Sequence, residues 1–172
     1  MLKKVIMTLL VFIFYLLQCT LFKTFSLGSV SPNLLLILTF CAGFMGGRKM
    51  GMYVGILSGL ILDLFYGDVL GFNTLLLLYI GYVNGMFNKM FYDEVITLPL
   101  ALLVGSQLSY SIIYYVFNFL LRNRLDIGYY FIHIMLPELA YTVIISVLIY
   151  RLLLRLNRKL DEIEKRSATK FG

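Results

Sequence analysis

Six apolar runs, separated by breaks of only a few residues, leave this chain almost no choice of fold. They are Val5–Phe22, Pro32–Gly47, Met50–Tyr66, Phe72–Phe87, Val95–Leu121 and Tyr129–Tyr150. A bilayer core about 30 Å thick takes roughly 20 helical residues, with about 17 as the practical minimum. The second run, at 16 residues, is marginal, and the fifth, at 27, is long. Hydrophobic residues are 60% of the 172 and charged residues 14%. The charged share of an average soluble domain is about 25%. A water-soluble fold of this size cannot hide that much apolar side chain. The expected fold class is an all-α integral membrane protein with six transmembrane helices over 1–150. A basic amphipathic tail follows over 151–172.

Charge placement sets the number of spans and the orientation. With six spans and an inside N-terminus, 12 of the 15 Lys and Arg residues lie inside, and only Lys23, Arg122 and Arg124 lie outside. Lys and Arg beside membrane spans favour the cytoplasmic side. If the second run re-entered instead of crossing, the seven basic residues of the tail would have to be exported. Both ends are therefore expected in the cytoplasm. The net charge of +6 fits topology plus attraction to anionic lipids, and no basic-aromatic strand pattern points to nucleic acid. The apolar core of the first run is too long for a typical signal peptide, and no small-residue cleavage site follows it. It is kept as the first span. Cys19 and Cys41 both sit in apolar runs and read as buried thiols.

Ser31 and Pro32 mark the entry to the second span, as helix cap and first helical residue. Gly46-Gly47-Arg48-Lys49 and Gly67-Asp68-Val69-Leu70-Gly71 make tight turns. The second to fourth spans are thus an antiparallel trio. In the tail, Leu152, Leu156, Leu160 and Ile163 share one face, which suggests a helix lying on the inner surface.

Gly51, Gly55 and Gly59 recur every fourth residue, and the next step lands on Asp63. Small residues four apart let helix backbones approach closely. Each such step drifts about 40° around the helix, so one crossing partner can follow the stripe. Gly67 and Gly71 extend the spacing into the next turn. Asp63 is costly in hydrocarbon, by roughly 3 kcal/mol at a helix centre. Counted along upright helices, Asp63 and Glu138 each lie about 20 Å above the inner boundary. His133 lies further out, and Pro137 frees a backbone carbonyl beside Glu138. The acids read as a partner or ligand contact, or as packing groups bonded to nearby Ser, Asn, Tyr or backbone. A catalytic pair is the weakest reading. Intramembrane aspartyl proteases usually carry Gly-x-Gly-Asp, whereas Phe65-Tyr66-Gly67-Asp68 lacks the first glycine. One histidine builds no metal site, so no catalytic residue, metal or cofactor is assigned. Asn84 and Gln107 read as interhelical hydrogen-bonding groups.

Pro32-Asn33-Leu34, the basic turn Arg48-Lys49, and Gly-Leu-Ile-Leu-Asp at 59–63 occur in this order. Gly67, Leu70-Gly71, Leu75 and Tyr82-x-x-Gly85 follow. In this pattern the chain resembles the MreD family of bacterial rod shape-determining membrane proteins. That family often has Asp where this chain has Asn33. The resemblance implies a non-enzymatic subunit of the cell-elongation machinery in the cytoplasmic membrane. It also implies MreC as direct partner, with MreB, RodA and a class B penicillin-binding protein in the same assembly. The family fold is similar to the S-component of energy-coupling-factor transporters, so a vitamin-binding transporter subunit is the rival expectation. S-components typically carry Ala-x-x-x-Ala pairs on the first span, and Val5–Phe22 contains neither Ala nor Gly.

Overall fold

A computed structural model describes residues 2–24, 32–66, 69–90, 97–117 and 127–170. Among these residues the chain is helical, with no strand. The main helices are α1 (Leu2–Thr24), α2 (Leu34–Gly46), α3 (Arg48–Tyr66), α4 (Phe72–Met86) and α5 (Thr97–Tyr115). A 3-10 turn, Phe87–Met90, follows α4. The short α6 (Ile127–Tyr130) passes through a π-helical stretch, Phe131–Met135, into α7 (Leu136–Lys170).

The centre is α2, where every residue from Leu34 to Met45 is buried. A helix apolar all round belongs in a core, and α2 contacts α1, α3, α4, α5 and α7. Its 13 residues span only about 20 Å, short of the hydrocarbon thickness. Three stretches, Lys3–Thr20, Thr97–Tyr115 and Phe131–Ile163, are long and apolar enough to cross a membrane by length and composition. Six were expected. The difference lies in α2 to α4. The first and last of these are short, at 13 and 15 residues, and α3 spends positions on charged residues and on glycines that serve packing.

The ends of α2 show why it stops where it does. Leading N–H groups of a helix lack intrahelical acceptors. Here the Leu36 N–H donates to Asn33 Oδ1 at 3.1 Å, and the Leu35 N–H to Gln18 Oε1 of α1 at 3.3 Å. The cap is therefore Asn33, not Ser31, and Pro32 precedes the helix instead of opening it. Ser31 lies outside the described residues. At the other end Gly47 has φ +82°, a conformation that suits a residue without a β-carbon. It alone separates α2 from α3. Asn88 Nδ2 donates to the Phe44 carbonyl at 2.7 Å, satisfying one of the last orphan acceptors of α2.

The glycine stripe is the α3–α4 seam. A β-carbon added at Gly51 would strike the Gly81 carbonyl, at Gly55 it would sit 2.5 Å from the Leu77 oxygen, and at Gly59 it would strike the Thr74 backbone. The pairs 51–81, 55–77 and 59–74 describe two antiparallel helices in backbone contact. Gly85 continues the contact against Arg48, and Gly43 of α2 meets Gly81 from the other side, its added β-carbon 2.6 Å from that oxygen.

Helix α7 runs 35 residues without a break, about 52 Å. It passes straight through 150/151, where the sequence suggested that the membrane domain ends. Its buried positions include Thr142, Ser146, Tyr150, Leu153, Asn157 and Leu160, spaced at three and four. Of the tail face read as lying on the inner surface, Leu152 and Ile163 are exposed and Leu160 is buried. The stripe that packs simply continues the inward face of the preceding span. Lys3 Nζ reaches Asp161 Oδ1 at 2.6 Å, tying this end of α7 to the start of α1.

Candidate functional site

Asp63 sits one step beyond Gly59 on the seam, and that position decides what its carboxylate meets. Helix α4 begins at Phe72, and its cap position, Gly71, has no side chain to receive the first N–H groups. Asp63 supplies the acceptors from across the turn. Its Oδ2 takes the N–H of Gly71 and of Thr74, both at 3.0 Å, and the Thr74 hydroxyl. Its Oδ1 takes the N–H of Asn73 at 2.9 Å. The side chain is buried, at 2% exposure. A carboxylate at a helix N-terminus gains from charge-assisted hydrogen bonds and from the helix dipole. Asp63 therefore acts as a remote cap, and the glycines that precede it bring α4 close enough to be capped.

From there a polar path crosses the bundle. Asn73 Oδ1 accepts from the Tyr110 hydroxyl of α5 at 2.8 Å. Three residues back on α5, and so near the same face, Gln107 is fully buried and its Nε2 donates to Glu138 Oε1 of α7 at 3.0 Å. One turn further along α7, Thr142 Oγ1 accepts the Asn33 N–H at 3.4 Å. A second α4–α5 link runs from Asn84 Nδ2 to Ser106 Oγ at 2.7 Å. Asn84 and Gln107 thus make the interhelical bonds that the sequence suggested.

Not all of this path is satisfied. Gln107 Oε1 and Ser111 Oγ are buried without a hydrogen-bond partner, as is Ser58 Oγ on α3. Glu138 is half-buried. Just before it, the π-helical stretch Phe131–Met135 precedes Pro137; π turns interrupt regular helices mostly at single sites, often functional ones.

The two acids are not in contact with a common group. Asp63 is engaged by α4, Glu138 by α5, and Asn73, Tyr110 and Gln107 lie between them. His133 is exposed and stacks on Tyr129, ring centroids 4.4 Å apart. Gly51, Gly55 and Gly59 lie on the seam. Gly71, with φ +96° and nothing within 4 Å of an added β-carbon, serves turn geometry and donates to Asp63. Pro32 is buried beside the α2 cap, and Gly67 lies outside the described residues. Sequence reasoning missed Asn73, Thr74, Tyr110 and Thr142. The first two carried a signal, an Asn-Thr pair at a helix start with no capping side chain before it. Tyr110 and Thr142 carried none, because their role depends on which helices become neighbours.

No curated protein and no solved structure matches the chain. A family model does: that of rod shape-determining protein MreD, over residues 1–160 of the 172. Capped, glycine-seamed and apolar over three membrane-length stretches, the chain belongs to the MreD family of rod shape-determining membrane proteins.

Proposed function

We propose that this chain is a non-enzymatic scaffold subunit of the bacterial cell-elongation machinery. It lies in the cytoplasmic membrane with six spans and both ends inside. In this reading α2 to α4 form a rigid, glycine-packed core. The polar path from Asp63 to Glu138 fixes the shape of a groove on which MreC docks, and His133 lies at its rim. MreB, RodA and a class B penicillin-binding protein join the same assembly, and the basic residues of the tail hold the inner face to anionic lipid. The observation that carries the reading is the family match over nearly the whole chain. The rival, a vitamin-binding S-component, is disfavoured by the first span, since Val5–Phe22 carries neither Ala nor Gly to form the small-residue pairs typical of that class.

The test is affinity purification of the tagged chain from its own host in mild detergent, with mass spectrometry of what accompanies it. Recovery of MreC and the elongation synthases supports the scaffold. Recovery of a transmembrane coupling subunit with paired ATPases overturns it.

A further inference from the structure

We propose that the turn joining α3 to α4 stays inside the membrane. Val69 and Leu70 insert among the lipid acyl chains of the leaflet opposite Arg48 and Lys49, the outer leaflet in the six-span reading. Only the name of that leaflet rests on the scaffold reading.

The two ends of the α3–α4 hairpin differ in what they show to their surroundings. At one end Arg48, Lys49 and Lys89 are exposed. At the other the exposed side chains are apolar. They are Leu64 and Phe65 in the last turn of α3, Val69 and Leu70 in the connection, and Leu75 in the first turn of α4. A turn in water is ordinarily built from small and polar residues, yet Val69 is 65% exposed and Leu70 75%. All of these side chains stand out from the surface and line no groove. The same apolar exposure continues down the hairpin through Ile56 and Leu60 on α3 and Tyr79 on α4. A convex surface continuous with the apolar wall of the hairpin is covered by the same fluid occupant, lipid.

The backbone is equipped for those surroundings. Lipid offers no hydrogen bonds, so irregular backbone persists at membrane depth only where the protein supplies its own partners. Successive N–H groups from Gly71 to Leu75 all find acceptors within the chain. Those of Gly71, Asn73 and Thr74 go to the buried Asp63 carboxylate. That of Leu75 goes to the Gly71 carbonyl at 2.9 Å, and that of Phe72, more weakly, to the Val69 carbonyl at 3.5 Å. Asp63 therefore replaces the water that would otherwise receive these groups.

The helices are also too short to lift the turn far into water. The 19 residues of α3 rise about 28 Å and the 15 of α4 about 22 Å, against a hydrocarbon core of about 30 Å. With Arg48, Lys49 and Lys89 at one boundary, the turn comes level with the other. Asp68, which lies outside the described residues, limits the depth, because charge is costly in hydrocarbon. The turn thus rests where headgroups meet acyl chains.

The experiment uses the full chain in lipid nanodiscs, with Cys19→Ser so that the buried Cys41 is the one native thiol left. The fluorophore nitrobenzoxadiazole is attached at Leu70→Cys, at Val69→Cys and, as the reference in water, at Glu162→Cys, an exposed position near the end of α7. Unchanged melting confirms the fold of each. Quenching is measured with iodide and with lipids spin-labelled near the top of the acyl chain. At Leu70→Cys and Val69→Cys iodide should quench severalfold less than at Glu162→Cys, and the spin-labelled lipid severalfold more.

Iodide quenching equal to that at Glu162→Cys would overturn the proposal. So would protection from iodide without quenching by the spin-labelled lipid, which would make a second copy of the chain the cover. Iodide access in nanodiscs combined with protection in host membranes would give the turn to a partner protein instead. Orientation is read separately. An impermeant maleimide should leave Glu162→Cys unlabelled in wall-stripped cells. Labelling there would overturn the six-span orientation and leave the immersed turn standing, because nanodiscs expose both faces. A turn open to iodide would do the reverse.

Discussion

Gly51 and Gly81 meet backbone to backbone: a β-carbon placed on either one strikes the carbonyl oxygen of the other. No side-chain rearrangement relieves such a clash, because both partners are main chain. The α3–α4 distance is therefore fixed by two missing methyl groups.

Gly51→Ala and Gly81→Ala should each destabilise the protein by about 1–3 kcal/mol, the usual cost of overpacking. Gly105→Ala is the control. It is exposed on α5, an added β-carbon there meets nothing within 4 Å, and alanine favours helix by about 1 kcal/mol. Melting of the three variants in one detergent decides the matter. Equal melting temperatures would show that the seam tolerates separation.

Asp63→Asn should cost about 1–3 kcal/mol, since an amide offers one acceptor atom where the carboxylate offered two. Asp63→Ala should cost more. The loss should be local first. Amide hydrogen exchange at Gly71, Asn73 and Thr74, whose N–H groups the carboxylate receives, should speed up before exchange in α2 does. Uniform acceleration across the protein would argue against a capping role.

Tyr110→Phe removes the donor to Asn73 and leaves the ring in place. The expected loss is about 0.6 kcal/mol, the average for hydrogen bonds between membrane helices. A double-mutant cycle with Asn73→Ala measures the coupling directly. A coupling near zero would mean that the 2.8 Å contact adds nothing to the packing around it.

Lys3→Ala should change stability by about 1 kcal/mol or less, because the Asp161 side chain is 45% exposed and solvent screens a pair so placed. Proximity is the stronger test. With Cys19 and Cys41 replaced by serine, a Lys3→Cys/Asp161→Cys variant should form an intramolecular crosslink with a short bis-maleimide. A tail lying away from α1 on the membrane surface would give none.

Much of the fold was legible in the sequence because its strongest signals are local. Apolar runs announced the helices, and Gly51, Gly55 and Gly59 announced a close crossing. The packed face of α7 beyond Tyr150 was harder. Leu152, Leu156 and Leu160 form as regular a pattern as Leu153, Asn157 and Leu160, and only contact with the rest of the bundle selects the second. The cap on α2 was displaced by two residues because Ser31, Pro32 and Asn33 are all good start signals. The Asn33 side chain is the one that reaches Leu36. Within the candidate site, Asp63 and Glu138 stood out as acids in apolar helices. Their bonding did not: Asp63 reaches Gly71, Asn73 and Thr74 across a turn whose shape is set by the seam, and Glu138 meets Gln107 of a separate helix.

Helix α7 is continuous over its 35 residues. From Glu138 to Asp161 it spans about 35 Å of uninterrupted helix. At one end is a half-buried carboxylate on the bundle wall, and at the other an ion pair with the first turn of α1. A rod of that length is a lever. Tilting it by about 5° about one end carries the other through about 3 Å, comparable to the length of a hydrogen bond. A push at Glu138 is thus felt at Asp161 without any change of secondary structure between them.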